Sequence, residues 1–156
     1  MTPFKKKRPR DINIEAAVSN ERKELIFYIF NEPALNTLDQ KLALSRENEK
    51  YHIVEKKKIF ARKLGELLTE HLPKNQKINF LSVDVEGLDL EVLQSNDWKL
   101  FRPEYILVEC LNMPLKELED LKNNEVYKFL TGINYRYFAK TYATVIFKDG
   151  NMELKN

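Results

Sequence analysis

The segment Ile78-Asn79-Phe80-Leu81-Ser82-Val83-Asp84-Val85-Glu86-Gly87 constrains the fold more than any other stretch of this chain, because a short apolar run stops abruptly at two carboxylates and a glycine. Rich in β-branched and aromatic residues and too short for a helix, it predicts a buried strand of a mainly parallel sheet. Leu88, Leu90, Val92 and Leu93 follow at the spacing of an amphipathic helix. Asp89 and Glu91 fall in its first turn, where carboxylates favour the positive helix end. Arg102-Pro103 then interrupts the chain, and Tyr105-Ile106-Leu107-Val108-Glu109 repeats the pattern of an apolar strand closed by an acid. Strand, helix and strand in so few residues predict a βαβ unit with a right-handed crossover. Asp84, Glu86 and Glu109 then sit at carboxyl ends of strands, where open α/β sheets bind their ligands.

Composition narrows the class. A length of 156 residues suits one ordinary domain with its own core. Lys+Arg 26 against Asp+Glu 24 leaves a formal net charge of only +2, which gives no global case for a nucleic-acid partner. Lys5, Lys6, Lys7, Arg8 and Arg10 read as a solvated arm, and Lys56, Lys57 and Lys58 as a solvated edge. The single cysteine, Cys110, excludes an intramolecular disulfide framework, fits a reducing compartment and reads as a core residue. Met1 to Arg10 lacks the apolar stretch of a secretory signal, and no segment approaches the length of a bilayer span. The expectation is a cytoplasmic protein without a membrane partner.

The remaining elements follow from pattern and punctuation. Asp11 to Val18 predicts a strand that leaves the basic arm and ends near Ser19-Asn20. Leu25 to Phe30 predicts a second strand, with Tyr51 to Phe60 as its antiparallel partner, whose Glu55 to Lys58 charge run implies an exposed edge. Between them, Asn31 to Thr37 has the proline and asparagine chemistry of a loop placed to reach over a site. Leu64, Leu67 and Leu68 predict a helix bounded by Pro73. Leu115, Leu118 and Leu121, then Val126, Phe129 and Leu130, predict further helix stopped near Gly132. Tyr135, Tyr137 and Thr144 to Phe147 predict two closing antiparallel strands. Trp98, Phe101 and Tyr105 read as core, and His52 and His71 lack partners at metal or triad spacing. Asp84 and Glu86 also read as caps of the helix that follows, and Glu109 as half of a structural ion pair.

Taken together and in order, Asn13-Ile14-Glu15-Ala16-Ala17-Val18-Ser19, Phe80 to Gly87 with Leu88, Glu91, Val92 and Leu93 behind it, Arg102-Pro103, and Ile106 to Glu109 carry a resemblance. The chain resembles the FkbM family of S-adenosylmethionine-dependent methyltransferases from about Arg8 to Asp149. The resemblance implies a Rossmann-like class I methyltransferase sheet, mostly parallel with a C-terminal antiparallel strand pair. It also implies transfer of a methyl group from a sulfonium to an oxygen of a sugar or secondary-metabolite acceptor. Because such a donor is already activated, the enzyme mainly has to align two reactants and exclude water. By the same resemblance, Asp84 faces the cofactor's methyl or the acceptor, and Glu86 supports it or binds the acceptor. Ala17, Val18 and Ser19 match the turn beside the adenine, while Asn36 and Glu109 belong to the acceptor side.

One departure from the family stands out. Its members grip the cofactor with a glycine-rich turn after the first strand, whereas Gly65, Gly87, Gly132 and Gly150 are each isolated here. Residues 1–156 therefore read as a single partial methyltransferase domain, with residues 1–10 as a basic arm and the first βαβ unit missing. In the family's sheet order, the strands near Ile14 and Phe80 would each lose a neighbour. That predicts a homo-oligomer or a complementing chain that covers exposed strand edges. Two other readings remain open: a non-catalytic remnant or interaction module, and a magnesium-dependent phosphoryl-transfer site built from Asp84, Glu86 and Glu109.

Overall fold

The computed structural model describes residues 6–109 and 118–152. Cys110 and Leu115, read above as core and helix, lie outside the described residues. In chain order the elements are β1 (Ala17–Val18), β2 (Glu24–Phe30), a 3-10 turn (Pro33–Leu35), α1 (Gln40–Arg46), β3 (Ile53–Arg62) and α2 (Leu64–His71). They continue with β4 (Phe80–Val83), α3 (Asp89–Gln94), β5 (Tyr105–Glu109), α4 (Leu118–Asn123), α5 (Glu125–Gly132), β6 (Tyr135–Lys140) and β7 (Thr144–Asp149).

The protein is a mixed α/β structure with a four-stranded sheet ordered β4-β5-β7-β6 and a three-stranded sheet ordered β1-β3-β2. β4 and β5 pair in parallel across α3, as the strand-helix-strand pattern predicts. β5 with β7, β6 with β7, and β2 with β3 are antiparallel, while β1 runs parallel to β3. The expected single, mostly parallel sheet is thus replaced by two mixed sheets. At β6 and β7 the cause is the short connection Thr141-Tyr142-Ala143, which closes a hairpin and is far too brief for a crossover. The expected strand from Asp11 shrinks to Ala17–Val18, the two residues that find partners, Ala61 and Arg62, on β3. α1 was not anticipated by the sequence pattern; Asp39 caps it by accepting from Lys41 N at 2.7 Å and Leu42 N at 3.1 Å.

The main core lies on the larger sheet. Ile106 and Val108 of β5 and Val145 and Phe147 of β7 alternate inward and are at most 1% exposed. They pack with Leu93 of α3, Leu130 of α5 and Tyr135. Each such buried side chain contributes roughly 2 kcal/mol of hydrophobic stabilisation. A second, smaller cluster joins Tyr28 and Phe30 of β2 to Ala43 of α1. The two sheets are tied where Gly65 at the start of α2 donates its amide to Ser95 O at 3.1 Å. A Cβ on Gly65 would meet Asp97 N at 3.0 Å, so only glycine permits this approach without a shift.

At the amino end of β5, Arg102 donates to both carboxylate oxygens of Asp149 at 2.6 and 3.2 Å and lies 4.7 Å over the Tyr135 ring. Burial works against an ionised Asp149, yet Arg102 and the Asn151 amide together hold its carboxyl below the usual range. The Tyr135 hydroxyl, pushed up first by burial, donates to Pro103 O at 2.8 Å. The pair Arg102-Pro103 is therefore more than a break in the chain: it locks the sheet's amino end.

Candidate active site

The carboxyl end of β4 is shaped by its backbone. Glu86 has φ +55° and Gly87 has φ +102°, two consecutive residues in the left-handed region. For Gly87 that conformation is inexpensive, and a Cβ there would also press on Asp39 Oδ2 at 3.3 Å. For Glu86 it is strained, and strain of this kind persists only where surrounding groups over-determine it. Asp89 supplies part of the restraint: its carboxylate accepts from Val85 N and Gly87 N, each at 3.3 Å. Desolvation raises the Asp89 carboxyl above its ordinary range, against the opposing pull of these amides. The residue capping α3 is Leu88, without a side-chain hydrogen bond, so neither Asp84 nor Glu86 serves as the helix cap that the sequence left open.

The turn brings three acids together. Asp84, Glu86 and Glu109 each offer a carboxylate oxygen within 4.8 Å of the others, a spacing that a single hard cation would bridge. Glu86 is paired with Arg46 at the last residue of α1, an ion pair whose side chains are only 19% and 27% exposed. Glu109 is different. Its Oε2 is buried without a hydrogen-bond partner among the described residues, and its pKa is pushed up to about 7. Desolvation is the main cause, followed by the Asp84 carboxylate beside it and then by the charges of Glu86 and Asp89. Glu109 also lines a cleft of about 510 Å³, together with Asp39, Leu42, Gly87, Asp89 and Asn124.

The other residues singled out by sequence occupy separate positions. Ala17 and Val18 form β1, and Val18 packs against the main core. Ser19 is fully buried, and its hydroxyl donates to Glu91 Oε2 at 2.8 Å, tying the end of β1 to α3. Asn36 accepts from Phe30 N at 2.8 Å through Oδ1 and so pins the 31–37 loop to β2. The adjacent Thr37 reaches the carboxyl end of β4: its hydroxyl donates to Glu86 O at 3.1 Å and accepts from Asp39 N at 3.0 Å. Thr37, Asp39 and Arg46 are thus the residues that sequence reasoning missed. Asp39 preceding a Leu42-Ala43 step carried a capping signal, whereas the pairing of Arg46 with Glu86 across 40 positions left none.

The arrangement can do specific chemistry. A cluster of acids with one cation, a buried acceptor atom and a carboxyl that titrates near neutrality can accept a proton, bind hydroxyl donors or sit against a positive charge. The family model described as Methyltransferase FkbM domain matches residues 2–137, a span that includes every residue of this cluster. No curated protein and no solved structure matches the chain. Matched over most of its length by that family model, the chain belongs to the FkbM methyltransferase domain family.

Proposed function

We propose that this protein is an S-adenosylmethionine-dependent methyltransferase domain that methylates a hydroxyl of a sugar or secondary-metabolite acceptor in the cleft beside Glu109. The observation that carries the reading, within a methyltransferase family, is the buried oxygen of Glu109 next to Asp84, which has no hydrogen-bond partner among the described residues. Such an acceptor atom calls for a hydrogen-bond donor or a positive charge, and a hydroxyl acceptor or a sulfonium brings one of each. The donor set therefore fits the family's cofactor. When bound, S-adenosylmethionine supplies a methyl group already activated on a positively charged sulfur.

The chain's own residues have the remaining work. Asp84 and Glu109 hold the acceptor hydroxyl by accepting its hydrogen bond, and the proton it loses passes to one of these carboxylates. Glu86, neutralised by Arg46, supports the turn on which Asp84 is carried. Ala17, Val18 and Ser19 are assigned to the cofactor side and Asn36 to the acceptor side. In this reading residues 1–156 act as one partial domain of a Rossmann-like class I sheet in the cytoplasm. The free edges of β1 and β4 pair with a second copy or a complementing chain. Phe80, 63% exposed on β4, supports that view of the edge. No described helix is long and apolar enough to cross a membrane.

Calorimetric titration of the purified chain with S-adenosylhomocysteine, beside a size-exclusion mass, tests the reading. Saturable binding near one site per chain that disappears in Asp84→Ala is the expected result. A folded chain that ignores the cofactor would leave the non-catalytic module as the better description.

A further inference from the structure

The Glu86–Gly87 turn is held from outside its own sheet. Arg46 of α1 reaches Glu86 with one guanidinium nitrogen and Leu35 O, at 3.2 Å, with another. Thr37, 2% exposed, exchanges both backbone hydrogen bonds with Tyr28 of β2 and gives its hydroxyl to Glu86 O. The smaller sheet and its helix therefore grip both the side chain and the carbonyl of a residue at φ +55°. On the opposite side Asp89 restrains the turn, through the Val85 and Gly87 amides. A non-glycine residue held in this conformation by two separate elements indicates that its placement is specified rather than incidental.

We propose that Arg46 is a positioning residue: by holding Glu86 in the left-handed turn, it keeps the Asp84 carboxylate in register with that of Glu109, which lines the cleft, with Thr37 as its backbone counterpart. The proposal rests on the methyltransferase reading of the site for its consequence in turnover, but not for its structural part. Among the described residues Arg46 bonds to Leu35 O and Glu86 and makes no hydrogen bond or ion pair with Asp84 or Glu109. Its removal leaves Glu86 facing Asp84 and Glu109 without a counter-charge, so the turn relaxes and the acids move apart. A displacement of about 1 Å at reacting groups costs on the order of 100-fold in rate.

The test uses the full chain and three variants, Arg46→Met, Arg46→Lys and Thr37→Val. Hydrogen exchange at the Val85 and Gly87 amides reads the turn, with Ile106 in the core as a control for global opening. Exchange at Val85 and Gly87 should rise about tenfold or more in Arg46→Met and in Thr37→Val, stay near wild type in Arg46→Lys, and leave Ile106 unchanged. In a methyl-transfer assay with a hydroxyl acceptor, Arg46→Met should lower kcat about 10- to 100-fold with the acceptor KM within about twofold, and Arg46→Lys should restore most of kcat. Unchanged exchange at both amides overturns the proposal, as does failure of lysine to rescue. If Arg46→Met does not fold, Arg46→Lys and Thr37→Val decide by the same criteria. Absence of turnover in the wild-type chain would count against the methyltransferase reading alone, and the exchange data would still decide whether Arg46 positions the turn.

Discussion

The two ends of the β4-β5-β7-β6 sheet treat their charges in opposite ways. At the amino end, Asp149 is met by both arms of Arg102, which also stacks on Tyr135, so the buried carboxylate there is answered. At the carboxyl end, Arg46 answers Glu86, but Asp84 and Glu109 face each other and Glu109 keeps a buried oxygen without a partner among the described residues. The same ingredients, an arginine and carboxylates at strand ends, thus make a lock in one place and a reactive cluster in the other. The difference lies in the count of cations against acids within a partly dry space. Where they balance, the pair stabilises the fold; where acids exceed cations, energy is stored as raised proton affinity.

The contrast can be broken most severely at the amino end. Arg102→Ala would leave Asp149, whose side chain is 7% exposed, as an uncompensated buried charge, and should cost about 3 kcal/mol in urea denaturation. A loss below about 1 kcal/mol would mean that the lock is ordinary surface pairing. At the carboxyl end, Gly87→Ala forces a side chain into φ +102° and against Asp39, and should cost about 1–2 kcal/mol in the same measurement.

A third test sharpens the comparison through pH. The Glu109 carboxyl titrates near 4.5 when unfolded and about 7 when folded, so between these values the unfolded state releases its proton first. Glu109 therefore lowers stability progressively as pH rises from about 4.5 to 7, and the whole penalty is present above pH 7. Glu109→Gln removes that penalty. The variant should be more stable than wild type at pH 8 and nearly equal at pH 4.5, as read from urea midpoints at the two pH values. A stabilisation independent of pH would show that Glu109 is not the group being titrated.

Much of the scaffold was legible in the residue pattern. Phe80–Val83, the Leu90-Val92-Leu93 helix and Tyr105–Glu109 appear where apolar runs and helical spacing placed them, and β2 pairs with β3 as an antiparallel ribbon. Local chemistry also marked the ends, with Pro73 beyond α2 and Gly132 closing α5. The failures have a common cause. Asp11 to Glu15 alternate like a strand, but a strand exists only where a neighbour accepts its hydrogen bonds, and β3 pairs in register with Ala17 and Val18 and not with Asp11 to Glu15. α1 escaped notice although Asp39 caps it, because a short helix draws its stability from packing, here Ala43 against Tyr28 and Phe30.

For the site, sequence by itself placed Asp84, Glu86 and Glu109 at strand ends, because an apolar run closed by an acid has one sensible orientation in a buried strand. It also carried the family, since the order of its motifs lies along the chain. Only the tertiary structure decided which acid is neutralised and which is not. Arg46, Thr37 and Asp39 come from a different sheet and helix, and their distances to Glu86 and Gly87 are set by how the two sheets meet. Charge, unlike hydrophobic periodicity, acts through space with a strength fixed by distance and burial, so its balance at a site emerges only once the chain has folded.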